Sequence, residues 1–245
     1  MQAANRTVVI TGASSGIGLA LAEAYLARGY NVVGNARSVE RLEQAKVQLG
    51  SPDNFYGVAG DIAELDTAEA LFTVAKARFG KVDILVNNAG IFNAKPFTAY
   101  TEDDVNRLVA TNLMGFFYPS QQAAAHMAET GGGHIVNITA SIALQPNAKV
   151  PAALPVLVKG GLNAATRALA LELAPQNIKV SAVAPGIIDT PMHDIGYHEF
   201  LRTLQPTGRL GRVQDIVDAV LYLTDASFAT GVVLNVDGGA TAGTW

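Results

Sequence analysis

"VVITGASSGIGLALAEAYLARG", running from Val8 to Gly29, passes from a β-branched apolar run through a glycine-rich turn into a helical pattern rich in alanine and leucine. Gly12, Gly16 and Gly18 stand at the junction. Glycines there let the turn tighten, let the backbone approach a pyrophosphate, and let the helix lie close on the strand. The helix N-terminus adds unpaired N–H groups and the positive end of its dipole. The spacing is Gly-x-x-x-Gly-x-Gly rather than Gly-x-Gly-x-x-Gly, and a glycine turn alone can be no more than a turn. The strand before it and the helix after it give it content, because together they open a βαβ unit. Gly12, Ser14, Ser15, Gly16, Ile17 and Gly18 are the expected phosphate loop of a dinucleotide site.

The chain beyond repeats that alternation. Strand-like runs cover Thr7–Thr11, Asn31–Ala36, Phe55–Gly60, Ile84–Asn87, His134–Thr139, Lys179–Ala184 and Val232–Val236. Helical patterns lie near Gly16–Arg28, Val39–Leu49, Thr67–Phe79, Asp103–Ala128, Val156–Ala174 and Val213–Thr224, with Thr101 and Asp104 spaced as a capping box. The strands are apolar throughout, as when both faces of a sheet are covered. The expectation is a single doubly wound (Rossmann-type) α/β domain over 1–245, its seven-stranded sheet mainly parallel and flanked by helices. Two irregular segments, 141–155 and 187–212, each follow a strand. Ligands of open parallel sheets sit beyond the strands' carboxyl ends, so these are the expected substrate loops.

The second strand ends in "NVVGNARS", Asn31–Ser38. An NAD site wants an acid there for the ribose 2′-hydroxyl, whereas this chain has Ala36 and then Arg37. A guanidinium can clamp a 2′-phosphate, which favours NADP(H); otherwise Arg37 is a solvated surface residue. Asp61 and Ile62, after the third strand, are placed to meet an adenine, although Asp61 alone could be a turn residue.

Bulk composition narrows the partners. The 245 residues are 49% hydrophobic and only 16% charged, which favours burial in a homodimer or homotetramer. A net charge of −4 offers no basic field, so nucleic acid is an unexpected partner. There is no cysteine, hence no disulfide or thiolate site. No apolar run approaches the ~18–20 residues that span a bilayer. A cytoplasmic protein with a small-molecule substrate and no membrane partner is expected. His193 and His198 lack a third ligand nearby, so no metal site is expected either.

Several motifs, in order, resemble the short-chain dehydrogenase/reductase family over essentially the whole chain. They are "TGASSGIG" (Thr11–Gly18), "NNAG" (Asn87–Gly90), "NLMG" (Asn112–Gly115), "VNITASIA" (Val136–Ala143), "VAPGIIDTPM" (Val183–Met192) and the tail "TGVVLNVDGGATAG". The resemblance implies that Asn88, Ala89 and Gly90 border the cofactor, and that Pro185, Gly186, Ile188 and Thr190 meet its nicotinamide end. It implies catalytic roles for Ser141, Lys159 and Asn112: the serine positions the substrate oxygen, the lysine holds the nicotinamide ribose, and the asparagine orders a relay water.

In that family a tyrosine four residues before the lysine exchanges the proton. Here Pro155 occupies that position, and no tyrosine lies between Ile142 and Val158. A positioned acid is worth about 10²–10⁴-fold. Proline itself suits a helix's first turn. Three readings stand: an oxidoreductase with another donor or an undemanding carbonyl, imine or activated-alkene substrate; a non-catalytic NADP(H)-binding scaffold or sensor; an isomerase or dehydratase. Tyr197, on the second irregular segment, is the candidate substitute acid, with Lys149, His193 and His198 as lesser ones and Tyr118 a core or interface residue.

Overall fold

The computed structural model describes residues 6–243; residues 1–5 and 244–245 of the domain expected over 1–245 lie outside the described residues. Seven strands form one sheet: β1 (Thr7–Ile10), β2 (Asn31–Ala36), β3 (Phe55–Ala59), β4 (Ile84–Asn87), β5 (Gly133–Ile138), β6 (Ile178–Pro185) and β7 (Val233–Val236). The order is β3-β2-β1-β4-β5-β6-β7, and every pairing is parallel. The chain winds outward from β1 to β3, then returns to lay β4 on β1's other side. That reversal opens a crevice at the carboxyl ends of β1 and β4.

Helices cover both faces because β1 and β4 are buried at every position. On one face α1 (Gly16–Ala27) and α8 (Val213–Asp225) pack Leu21, Tyr25, Ile216 and Val220 against Val8, Ile10 and Val86. Tyr25 Oη lies 2.7 Å from Thr224 Oγ1, tying those helices together. On the other face α3 (Leu65–Phe79), α5 (Gly115–Glu129) and α6 (Ala153–Leu173) bring Leu71, Phe72, Met127 and Leu173 against Val9, Leu85 and Ile135. Each such buried side chain contributes roughly 1.5–3 kcal/mol of transfer free energy. The remaining helices are α2 (Val39–Gln48), α4 (Glu102–Leu108) and the five-residue α7 (His198–Arg202).

One expectation is corrected. The helix expected over Asp103–Ala128 is three pieces: α4, a π-helical stretch Val109–Met114, and α5. The reason lies in Asn112, whose amide is drawn out of helical register to meet the backbone of Ile91. The Ile91 N–H donates to Asn112 Oδ1 at 2.9 Å, and Asn112 Nδ2 donates to the Ile91 carbonyl at 3.0 Å. The Thr101–Asp104 capping box is present and opens α4. The helix expected from Val156 starts earlier, at Ala153, and the second irregular segment contains α7.

Candidate functional site

A cavity of about 1170 Å³ opens at the carboxyl edge of the sheet. It exceeds the ~300–1,000 Å³ that a drug-sized ligand occupies, so it has room for a dinucleotide and a second small molecule. Its wall collects residues from all along the chain: Gly12, Ser14, Ser15, Gly16 and Ile17 after β1; Arg37 after β2; Asp61 and Ile62 after β3; Asn88, Ala89 and Gly90 after β4. Ser141 follows β5, Lys159 comes from α6, and Pro185, Gly186, Ile188 and Thr190 come from the end of β6 and the loop beyond.

The glycine turn is shaped by close approach. Gly12 has φ +68° and Gly16 φ +53°, a region that side chains disfavour. A Cβ on Gly18 would collide with the Gly12 carbonyl and come within 2.5 Å of Asn88 Nδ2. Gly18 therefore presses α1 onto the turn instead of lining the cavity. Asn88 fastens the turn from the far side, its Nδ2 donating to the carbonyls of Thr11 at 2.9 Å and Gly12 at 3.2 Å. Thr11 Oγ1 accepts the N–H groups of Asn88 and Ala89, both at 3.0 Å. Ser15 caps α1 without a side-chain hydrogen bond, so the first-turn N–H groups stay free toward the cavity. Free N–H groups, two small hydroxyl residues and a turn no side chain could fill fit a pyrophosphate.

At the carboxyl end of β2, two guanidinium groups line the cavity. Arg37 was expected; Arg41, one turn into α2, was missed. Neither has a carboxylate partner among the described residues. The nearby Glu40 carboxylate instead accepts a 2.6 Å bond from the Ser38 hydroxyl, which lowers its pKa. Arg41 follows Arg37 by four residues across the start of α2, a placement that in the sequence reads as an ordinary solvated face. Asp61 Oδ1 accepts from the Ala63 N–H at 3.0 Å, so this residue both closes a turn and lines the cavity.

The opposite end is built by β5, β6 and α6. Lys159 is buried, at 9% exposure, and its ammonium donates to the Ile138 carbonyl at 2.9 Å. Burial alone pulls its pKa from 10.5 down to about 8. Its Nζ is 3.2 Å from where a Gly90 Cβ would stand, so glycine there clears space for the amine. Ser141 is buried on the cavity wall, and its hydroxyl makes no hydrogen bond among the described residues. Asn112 is buried behind the wall, bracing the turn after Gly90.

Pro155 is the third residue of α6 and stands one turn before Lys159 on the buried face of the helix. The first intrahelical donor is the Val156 N–H, to the Ala152 carbonyl at 2.9 Å, so the proline removes no helical bond.

The candidate acids separate by position. Tyr197 is 65% exposed and is not part of the cavity wall. His198 is also off the wall, its Nε2 3.2 Å from the His193 carbonyl. His193 lines the cavity, with Nδ1 2.8 Å from the Ile188 carbonyl. Lys149 lines it from an exposed loop. Tyr118 is half-buried on α5, edge-on to Phe117. The wall also includes Phe92, Ile142, Met192, Phe200 and Leu204, apolar residues not singled out in the sequence. No group of three or more metal-ligating side chains occurs among the described residues, and none of their helices is long and apolar enough to cross a membrane.

A family model described as "short chain dehydrogenase" matches residues 6–197. The chain is 36% identical, over 241 residues covering 96% of each chain, to the (2S)-[(R)-hydroxy(phenyl)methyl]succinyl-CoA dehydrogenase subunit BbsD of Thauera aromatica. Its structure is similar to 3-ketoacyl-(acyl-carrier-protein) reductase from Brucella melitensis complexed with NADH, with a TM-score of 0.91 and 32% identity, covering 97% of this chain and 99% of that one. It is equally similar to ElxO with NADP bound, with a TM-score of 0.91 and 29% identity over 98% of this chain and 100% of that one.

Proposed function

Because the chain belongs to the short chain dehydrogenase family, we propose that it is an NADP(H)-dependent oxidoreductase acting on a small carbonyl, imine or activated alkene, with a proton donor other than the side chain at position 155. The observation that carries this reading is the retention of Lys159 and Ser141 on the wall of one cavity, beside a turn built for a pyrophosphate. When bound, the nicotinamide supplies or accepts a hydride. The chain's own residues do the rest. Gly12, Ser14, Ser15, Gly16 and Ile17 hold the pyrophosphate, and Asp61 and Ile62 border the adenine. Lys159, Asn88, Ala89, Gly90, Pro185, Gly186, Ile188 and Thr190 hold the nicotinamide half. Ser141 orients the substrate, and Asn112 fixes the turn carrying Gly90 and Ile91. Apolar residues of the two substrate loops exclude water from the reacting atoms.

The NADP(H) preference rests on Arg37, with Arg41 beside it. Charge-assisted bonds to a phosphate are worth about 1.5–3 kcal/mol, or roughly 10–100-fold in affinity. Arg37→Ala should therefore raise the Kd for NADPH by about that factor while changing NADH binding less than about threefold, read by cofactor fluorescence titration. Equal weakening of both would remove the preference.

One observation favours a second reading, a catalytically impaired NADP(H)-binding scaffold or sensor: Pro155 has no proton to give. It predicts tight NADPH binding with no turnover. Self-association as a homodimer or homotetramer is part of the proposal under either reading. Phe117, Leu157 and Leu171 on α5 and α6 are 50%, 71% and 81% exposed, an apolar face suited to a second copy. Light scattering on the purified chain tests it.

A further inference from the structure

A proton donor must reach the reacting atom, and the cavity wall holds six side chains that titrate or carry charge: Arg37, Arg41, Asp61, Lys149, Lys159 and His193. The first three belong to the ends of β2 and β3. Lys149 is exposed on its loop. His193 engages one ring nitrogen with the Ile188 carbonyl. Lys159 alone among the six is buried. Among the described residues it makes one hydrogen bond, to the Ile138 carbonyl three residues before Ser141. An ammonium has three N–H donors, so two remain to be used. One turn before it on α6, Pro155 places no hydroxyl between the amine and the cavity.

We propose that Lys159 is itself the general acid, donating a proton from its ammonium directly to the carbonyl oxygen of the substrate. The proposal rests on the oxidoreductase reading above. In the step, an N–H bond of Lys159 breaks and an O–H bond forms, while the carbonyl carbon gains a hydride from a reduced nicotinamide. The product is an alcohol; the neutral amine left behind regains a proton from solvent after the product leaves. In the oxidative direction the neutral amine accepts the alcohol's proton.

The surroundings suit that exchange. The amine bonds the Ile138 carbonyl on β5 and stands beside Gly90 after β4, which the uncharged Asn112 amide also flanks. Among the described residues no ionised side chain offsets the burial of the amine, which lowers its pKa to about 8. A donor there is far better matched to proton transfer than a solvated lysine.

The test has two arms. In the first, pH-dependent reductive methylation of the native chain, followed by mass spectrometry, should show Lys159 reacting with an apparent pKa about two units below the ordinary lysine value of about 10.4. A pKa at Lys159 at that ordinary value overturns the proposal without touching the oxidoreductase reading. In the second, NADPH titration and turnover are measured for the native chain, Lys159→Arg and Tyr197→Phe. Arginine keeps the charge and the hydrogen bonds but does not release its proton. Lys159→Arg should lose about 10²–10⁴ in kcat at saturating NADPH, a larger factor than its loss of NADPH affinity, and native ketone reduction should fall as pH rises past 8. Retained turnover in Lys159→Arg, or loss only in Tyr197→Phe, overturns the proposal. If the native chain binds NADPH and turns over no substrate, the oxidoreductase reading fails and takes this one with it.

Discussion

A methyl group added at Gly18 meets the Gly12 carbonyl, a backbone atom that cannot step aside. Overpacking of that kind typically costs about 1–3 kcal/mol, so Gly18→Ala should lower stability by that amount in urea denaturation and weaken NADPH binding by opening the turn. A substitution tolerated at full stability would remove the close-approach argument. From the sequence, close packing of helix on strand is one use of a glycine here, but Gly18 counts there as part of the phosphate loop, whereas the structure sets it behind the turn and off the cavity wall. Arg41 was not read out. A lone arginine early in a helix looks like a solvated face until α2 is placed beside the cavity. Ser141 and Lys159 were identified by resemblance of their motifs, and the cavity brings both to one wall. Asn112 was identified too, but what it touches, Ile91, lies 21 positions away and no local pattern announces it.

The element that best shows that gap is the π-helical stretch Val109–Met114. The apolar spacing through Asp103–Ala128 reads as one helix, because a single wide turn shifts the pattern by less than its own scatter. What breaks the helix is a tertiary bond that pays for the misfit, the paired bonds between Asn112 and the Ile91 backbone. Asn112→Ala leaves the Ile91 N–H without its partner, a loss of about 1–3 kcal/mol. Hydrogen exchange should then quicken at Ile91 more than at residues of α8; uniform quickening would mean that Asn112 supports the whole fold rather than this turn. At the start of α6, Pro155 sits where an N–H has no helical acceptor, so the helix forms three residues earlier than its apolar pattern indicated. That tolerance makes Pro155→Tyr a usable variant. It removes no hydrogen bond of the helix.

For the molecule as a whole, alternation of apolar strands with helices was enough to specify a parallel sheet, and a reversal next to β1 is what puts the cavity at one edge. The short α7 was not read out, since five residues are too few to show a helical period. The core also carries a pH signature. His134 is buried with Nδ1 unpartnered, and burial, with a smaller contribution from Lys179, holds its pKa at about 3. His126 is lowered as well, chiefly by burial, and its Nε2 accepts the Val82 N–H at 3.0 Å, which only the neutral ring can do. The His134 ring stays neutral in the fold while the unfolded chain protonates it near pH 6.5, and the lowered pKa of His126 acts in the same direction, so these groups contribute full stability above that pH and lose it on acidification. Acidification from pH 6.5 toward pH 4.5 should lower unfolding free energy by about 1.4 kcal/mol per unit for His134 alone. The slope should shrink in His134→Asn; an unchanged slope would place the acid sensitivity elsewhere.

On the proposed function, this cavity carries hydride chemistry without a hydroxyl at position 155. Its most direct measurement is single-turnover oxidation of bound NADPH against a panel of ketones, imines and enones, for the native chain and for Pro155→Tyr. The native chain should oxidise NADPH with at least one of these classes. Tight NADPH binding with no oxidation by the native chain, and activity appearing only in Pro155→Tyr, would contradict it.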